Sequence, residues 1–460
     1  MPDGRRGRDK GDMDGMRNLT RRAALLGAAG LLTGCETISD SFDSIFGSRK
    51  VRLTGERQAV LPQDRQIQVD EGAAPLSLPP PQELAEWPQA GGTPGHAPGH
   101  PALGRPLAEA WRVSVGTGSA YRRRLIAPPV VASGHVFTMD AYGVVTAVDA
   151  ASGGRRWQFD TSPDEERGGA LGGGVAFADG VLYVATGMAE VLALDPANGS
   201  PRWRAKLPAP ARGAPTVAEG RILVPTIENQ LLALKTEDGA RIWVHRAQSV
   251  TAMALGMPAP AVEGDAVVAG FGSGELVAIR LSTGRPLWSE LLGTNRGGLA
   301  EINAVTALPV IDRGRVFATG LGGITIAIDL RSGRRLWERD FGSAETPWVV
   351  GDAVFVLTSS DELLCLGRDD GLVRWVAPLQ RFENEEKRRD PVNWGPPLLA
   401  GGRLLISSSL GQILELDPAS GEITGRTPLP GGARLQPAVA GGSLYLLTED
   451  AVLVAMRGRG

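Results

Sequence analysis

The sequence predicts an all-β protein: an eight-bladed β-propeller of four-stranded antiparallel blades, with the last blade closed by an N-terminal strand. Three observations carry that expectation. A tryptophan recurs about every 38 to 49 residues, at Trp111, Trp157, Trp203, Trp243, Trp288, Trp337 and Trp375. From Trp157 onward a glycine stands four residues ahead of each, at Gly153, Gly199, Gly239, Gly284, Gly333 and Gly371. Between these landmarks lie short apolar runs separated by turn residues, with no sustained helical period. Four strands in a unit of that length make a propeller blade.

Each blade element has a residue signature. A proline opens the unit, at Pro129, Pro215, Pro260, Pro309, Pro397 and Pro437. An apolar pair, a turn glycine and an alternating strand such as Arg221-Ile222-Leu223-Val224 follow. A third strand comes next, as in Gln230-Leu231-Leu232-Ala233-Leu234. Asp149, Asp195 and Asp329 then begin a turn that ends at the glycine four residues later. Such an aspartate accepts hydrogen bonds from the backbone just ahead of it, and the glycine supplies a positive φ. The fourth strand carries the tryptophan, whose ring covers the layer between neighbouring sheets. A seventh full unit repeats the turn from Asp417 to Gly421, but Gly425 takes the tryptophan position.

The chain ends in three strands, around residues 435–439, 443–447 and 452–456, with no fourth. The isolated Trp111 strand is expected to complete this blade, which closes the ring and protects its edges.

Composition fits. The 460 residues permit one large all-β domain. The 62 glycines and 33 prolines are placed periodically, as a turn-rich fold requires. A net charge of −3 gives no electrostatic footprint for nucleic acid, so none is predicted as a partner.

Residues 18–35 read NLTRRAALLGAAGLLTGC. Two arginines precede an apolar run too short to span a bilayer, which is the layout of a signal peptide. Met16 is a candidate start, and Thr20-Arg21-Arg22 leaves open general or twin-arginine export. The expected layout is therefore a signal segment over 1–35, a flexible tether over 36–100 and the propeller over 101–460. The run of turn formers from Gly91 to His100 cannot fold alone. Gln66–Val69, and Leu84 with Trp87, are expected as short pieces docked on the domain surface. His96 and His100 have ligand-like spacing but no third ligand nearby, so no metal site is predicted.

No catalytic residues and no cofactor are predicted. Cys365 lies among apolar residues and reads as a buried inert thiol. There is no Cys-Cys pair and no Cys-x-x-Cys-His. The repeated aspartates are explained by their turns. Two insertions, 161–174 and 381–390, both follow a fourth strand and so emerge on one face. The second contains Glu385 and Glu386 and leads to Trp394, a tryptophan outside the repeat. One expectation is a partner-binding loop with Trp394 near its base; the other is a solvated loop covering a blade edge.

The run Ala327-Ile328-Asp329-Leu330-Arg331-Ser332-Gly333-Arg334-Arg335-Leu336-Trp337 resembles the quinoprotein-type (PQQ-like) propeller repeat. The likeness extends over about residues 85–456. Leu32-Thr33-Gly34-Cys35 resembles a bacterial lipobox, which implies palmitate-type acylation of Cys35. Glu36 stands where an aspartate commonly marks inner-membrane retention, so an outer-membrane destination is implied.

Together these features resemble the lipoprotein family of the outer-membrane β-barrel assembly machinery (BamB). The resemblance implies a periplasm-facing scaffold, held in the membrane by its lipid. It would dock on periplasmic domains of the core barrel subunit, aid barrel insertion and meet nascent outer-membrane proteins. The stretches Gly293–Pro309 and Val250–Pro260, with Gly256, resemble partner-contacting regions of that family. This chain departs from the family there: Ala304 and Thr306 stand where members can carry acidic residues, and Leu255 where they can carry arginine. A quinone-dependent dehydrogenase or a polysaccharide-binding propeller stays open at this point.

Overall fold

Each repeat folds into an antiparallel meander, and eight such four-stranded sheets occur among the described residues. The structure is a computed structural model that describes residues 67–121, 123–163, 172–250, 256–293 and 303–459, all within the unit Gln66–Gly460. In the first blade the strands are Val130–Ala132, His135–Met139, Val144–Asp149 and Arg155–Asp160. Blades two to seven occupy residues 173–206, 216–246, 261–291, 310–339, 348–378 and 398–428. The eighth consists of Ala438–Ala440, Ser443–Leu447, Val452–Gly458 and the N-terminal strand Leu107–Ser114. Leu107 pairs with Gly458 and Ser114 with Val452, so the two ends of the chain close the ring as the sequence predicts.

Period-two alternation is confined to the outer strands. Arg155–Asp160 and Pro201–Lys206 alternate exposed with half-buried positions. The inner strands do not: Glu190–Leu194 and Ala353–Leu357 are buried at every position. Neighbouring blades pack on both faces of each sheet, so the inner strands read as continuous apolar runs.

The tryptophans join blade to blade. All seven donate from Nε1 to a backbone carbonyl in the turn of the following blade, for example Trp157 to Pro196 at 2.9 Å, Trp243 to Leu281 at 2.8 Å and Trp375 to Pro418 at 3.0 Å. The receiving turn carries the repeat glycine. Gly421 has φ +75°, and a Cβ there would lie 2.6 Å from the Trp375 ring. The glycine thus meets two demands, a left-handed backbone and a flat surface for indole. The aspartates cap these turns as expected: Asp149 Oδ1 accepts from Ser152 N at 2.8 Å, and Asp417 Oδ1 from Ala419 N at 2.7 Å.

Opposite each tryptophan sits a small residue. Ala147 pairs with Trp157, Ala327 with Trp337, and Cys365 with Trp375. Cys365 is fully buried, and burial pushes its thiol up to about 12, which keeps it protonated and inert. In the seventh blade the pair is instead Glu415 and Gly425. Glu415 there faces Arg403, only 2% exposed, whose Nε lies 2.8 Å from Glu415 Oε2. Its Nη2 donates to Gly104 O at 2.8 Å. The following blade has no covalent turn at this place, because the ends of the chain meet there. A charged clamp on the incoming chain therefore stands where the other seams use indole.

The expected tether over 36–100 is corrected. Residues 36–66 lie outside the described residues, but from Ile67 onward the chain is bound to the ring. Trp87 is 1% exposed, not a surface piece; it exchanges backbone bonds of 2.7 and 2.9 Å with Val131 and stacks on Trp348 at 6.3 Å. The turn-former run folds because the ring supplies the partners it lacks by itself.

Candidate functional site

The links from each fourth strand to the next blade all leave from one end of the ring, and their inner parts line the central channel. The turns between first and second strands lie at the other end. There, residues 77–103 form a strap that reaches every blade. Leu84 O accepts from Gly441 N, Pro88 O from Phe177 N, Pro94 O from Val262 N, Gly95 O from Ile311 N, and Pro101 O from Gly401 N. The Gln89 side chain bonds both N and O of Val217. Trp87 serves the first and sixth blades, through Val131 and Trp348. The channel is thereby a blind funnel of about 460 Å³, with Ala90 and Gln436 among the residues lining it.

Both strap histidines are structural. His100 donates from Nδ1 to Pro79 O at 2.7 Å and accepts at Nε2 from Gly402 N at 2.9 Å, which fixes the orientation of its ring. His96 holds Pro309 O at 2.7 Å, and burial lowers its pKa to about 4. Among the described residues no group of three or more His, Cys, Asp or Glu is placed to hold a metal.

Charged and apolar side chains both line the funnel. Arg434 Nε pairs with Glu449 Oε1 at 2.5 Å, and Arg124 Nη1 approaches the same oxygen at 3.9 Å. Glu345 stands nearby, and burial raises its carboxyl to about 7 against the opposing pull of Arg434. Arg212, Met257, Pro258, Leu308 and Leu321 also line the funnel.

The residues singled out in the sequence fall into separate places. Gly256 and Thr306 line the funnel. Ala304 is 1% exposed, so its side chain offers nothing to a partner; its carbonyl accepts from Leu321 N at 3.0 Å. Leu255 and Cys35 lie outside the described residues. Glu385 and Glu386 are exposed on the hairpin Phe382–Asn384 and Arg389–Pro391. Glu385 Oε1 accepts from Arg381 N at 2.9 Å and so shapes that hairpin. Trp394 is 4% exposed and donates from Nε1 to Gln380 O at 2.9 Å. It staples the base of the hairpin, with its own ring buried and not offered at the surface.

Sequence reasoning missed Arg403, Glu415, Glu345 and Arg434. Only the first pair left a trace, since Gly425 marks the blade whose seam is different.

The fold defines a closed propeller of quinoprotein-type blades whose channel is stoppered by its own chain. The family model described as "Outer membrane protein assembly factor BamB" matches residues 141–377 and 379–459, and the chain belongs to that family. A relative of that name from Yersinia pestis is 27% identical over 354 residues, 75% of this chain and 87% of the relative. One from Xanthomonas campestris is 32% identical over 275 residues, 58% of this chain and 66% of the relative. Among solved structures, BamB from Moraxella catarrhalis matches with TM-score 0.63 and 19% identity, covering 77% of this chain and 98% of that one. The quinohemoprotein alcohol dehydrogenase from Comamonas testosteroni matches with TM-score 0.64 and 14% identity, covering 82% and 81%. At such identities the two structures speak for the fold alone. The family is one of assembly factors and not of dehydrogenases.

Proposed function

We propose that this chain is a lipid-anchored, periplasm-facing scaffold of the machinery that assembles outer-membrane β-barrels. Acylation at Cys35 holds it in the outer membrane. The end of the ring that carries the inter-blade links faces periplasmic domains of the core barrel subunit, and the docked ring aids barrel insertion. Nascent outer-membrane proteins are further partners in this reading, which requires no cofactor.

Membership of the assembly-factor family carries the proposal. The architecture is consistent with it. A rigid ring gathers its longest links at one end, which is where a scaffold presents recognition loops.

Affinity purification of the full chain from detergent-solubilised outer membranes tests the reading. Recovery of a barrel-shaped core subunit with periplasmic domains is expected. Cys35→Ala is expected to leave the ring folded and to release it from membranes. Purification of the chain alone, or a Cys35→Ala protein still membrane-bound after a salt wash, would count against it.

A further inference from the structure

Every blade ends in an outer strand that no further strand joins among the described residues. Such an edge is a template for another strand, and charged side chains along it guard against pairing. Seven of the eight outer strands carry that guard. An arginine stands in each of Leu107–Ser114, Arg155–Asp160, Pro201–Lys206, Arg241–Arg246, Arg335–Arg339, Val373–Pro378 and Ile423–Pro428. Pro286–Leu291 of the fourth blade has no lysine or arginine. Its one charge, Glu290, is turned to the fifth blade, where Arg335 Nε donates to Glu290 Oε2 at 3.0 Å. Trp288 faces the same way and donates to Leu330 O at 2.7 Å. The alternate positions are open. Leu287 and Leu291 are 41% and 45% exposed, and Ser289 between them is exposed as well. No other strand among the described residues carries two exposed large apolar side chains. Leu292 N donates back to Gly274 O at 2.8 Å, so by strand alternation the backbone groups of Leu291 and Ser289 point outward from the sheet.

Three occupants of this edge can be compared. A lipid surface is met by basic side chains among apolar ones, and this strand has none. An unrelated strand would find backbone groups here, but nothing in the strand selects its sequence. A second copy fits the strand's own symmetry, because Leu287, Ser289 and Leu291 read the same from either end. An antiparallel pair of copies centred on Ser289 sets Leu287 of each opposite Leu291 of the other, on one face of a continuous sheet. Glu290 then falls opposite Trp288 and not opposite itself, so no like charges meet. A contact of this kind closes after two copies.

We propose that Pro286–Leu291 is a self-association edge, through which two copies of this chain pair antiparallel about a two-fold axis at Ser289. The contact is built from this chain alone and does not depend on the scaffold reading. A six-residue edge contact falls short of the about 1,200 Å² that stable interfaces bury, so the pair forms and parts with concentration.

The test uses the purified Cys35→Ala chain, which cannot be acylated at that position, in sedimentation equilibrium across a wide range of concentration. Its average mass is expected to rise toward twice that of one chain. Adding Ser289→Lys sets two like charges face to face and is expected to hold the single mass at every concentration. A cysteine pair of variants fixes the register. Ser289→Cys adds a thiol at the axis, where facing Cα atoms of an antiparallel pair lie about 5.5 Å apart, within disulfide reach. Mild oxidation is expected to give a covalent pair. Gln158→Cys, at the same position in the outer strand of the first blade, is expected to give far less. Cys365 is buried and does not compete. Thermal unfolding checks that each variant is folded. A single mass at every concentration for the chain with Ser289 intact overturns the proposal. So does a doubled mass kept by folded Ser289→Lys, or equal cross-linking of the two cysteine variants. None of these outcomes bears on recovery of a membrane complex, so the two readings fail separately.

Discussion

Arg403 in the seventh blade donates from Nη2 to the carbonyl of Gly104 at 2.8 Å, fastening the blade to the chain as it enters the closing strand. The same guanidinium faces Glu415, which is 14% exposed. Arg403→Met is expected to lower stability by about 3–5 kcal/mol, because it strands a buried carboxylate. The double variant Arg403→Met with Glu415→Met should recover much of that loss. Urea unfolding of the unaltered chain, the single variants Arg403→Met and Glu415→Met, and the double variant measures the coupling, and a double variant as weak as Arg403→Met would refute the stranded-charge account.

Gly421 and Gly441 separate two costs. Both have positive φ, but an added Cβ at Gly421 strikes the Trp375 ring, and at Gly441 it meets nothing within 4 Å. Gly441→Ala should cost about 1–2 kcal/mol, the backbone strain alone. Gly421→Ala should cost clearly more and alter near-ultraviolet circular dichroism as the indole shifts. Equal losses would show that the ring contact is unimportant.

The strap makes its own test. Trp87→Ala is expected to cost about 3–5 kcal/mol, the range for a fully buried large aromatic. It should also speed hydrogen exchange at Val131, whose amide donates to Trp87 O. Unchanged protection there would mean that the strap holds without its indole.

Two buried groups make opposed contributions to stability against pH. His96 has a folded pKa of about 4, below its unfolded value of 6.5. As pH falls from 6.5 to 4, the unfolded chain takes up a proton that the folded one refuses. Stability is therefore lost on acidification, by up to about 3 kcal/mol. Glu345 is shifted the other way, from 4.5 to about 7. As pH rises through that window the unfolded chain ionises first, so stability is lost on the alkaline side. His96→Gln should leave a protein that weakens from pH 4.5 to 7, and Glu345→Gln one that strengthens over it. Urea midpoints across pH 4 to 7.5 read both slopes.

Glu386 gives the cleaner probe of the hairpin as a contact surface, since Glu385 also shapes the turn. Glu386→Lys is expected to leave stability within about 0.5 kcal/mol and to reduce recovery of the core barrel subunit in the purification described above. Undiminished recovery would assign the hairpin to covering the blade edge.

The repeat was legible because each blade solves the same local problem with the same residues. An aspartate caps a turn, a glycine turns left-handed, and an indole covers the seam; all three lie within a few residues of one another. The eight sheets, the closing strand and the inert thiol followed from that. The rest depended on partners far apart in sequence. Residues 91–100 have the composition of a free linker, and they fold only because inner strands from the surrounding blades supply their hydrogen bonds. Trp394 looked like a loop anchor, and only packing shows that its ring points inward. Arg403 meets Gly104 across almost the whole chain, and Glu345 comes under the pull of Arg434 only when the ring closes. Local propensity sets the blade; long-range closure sets the plug, the clamp and the funnel, because none of those contacts exists until both ends of the chain are in place.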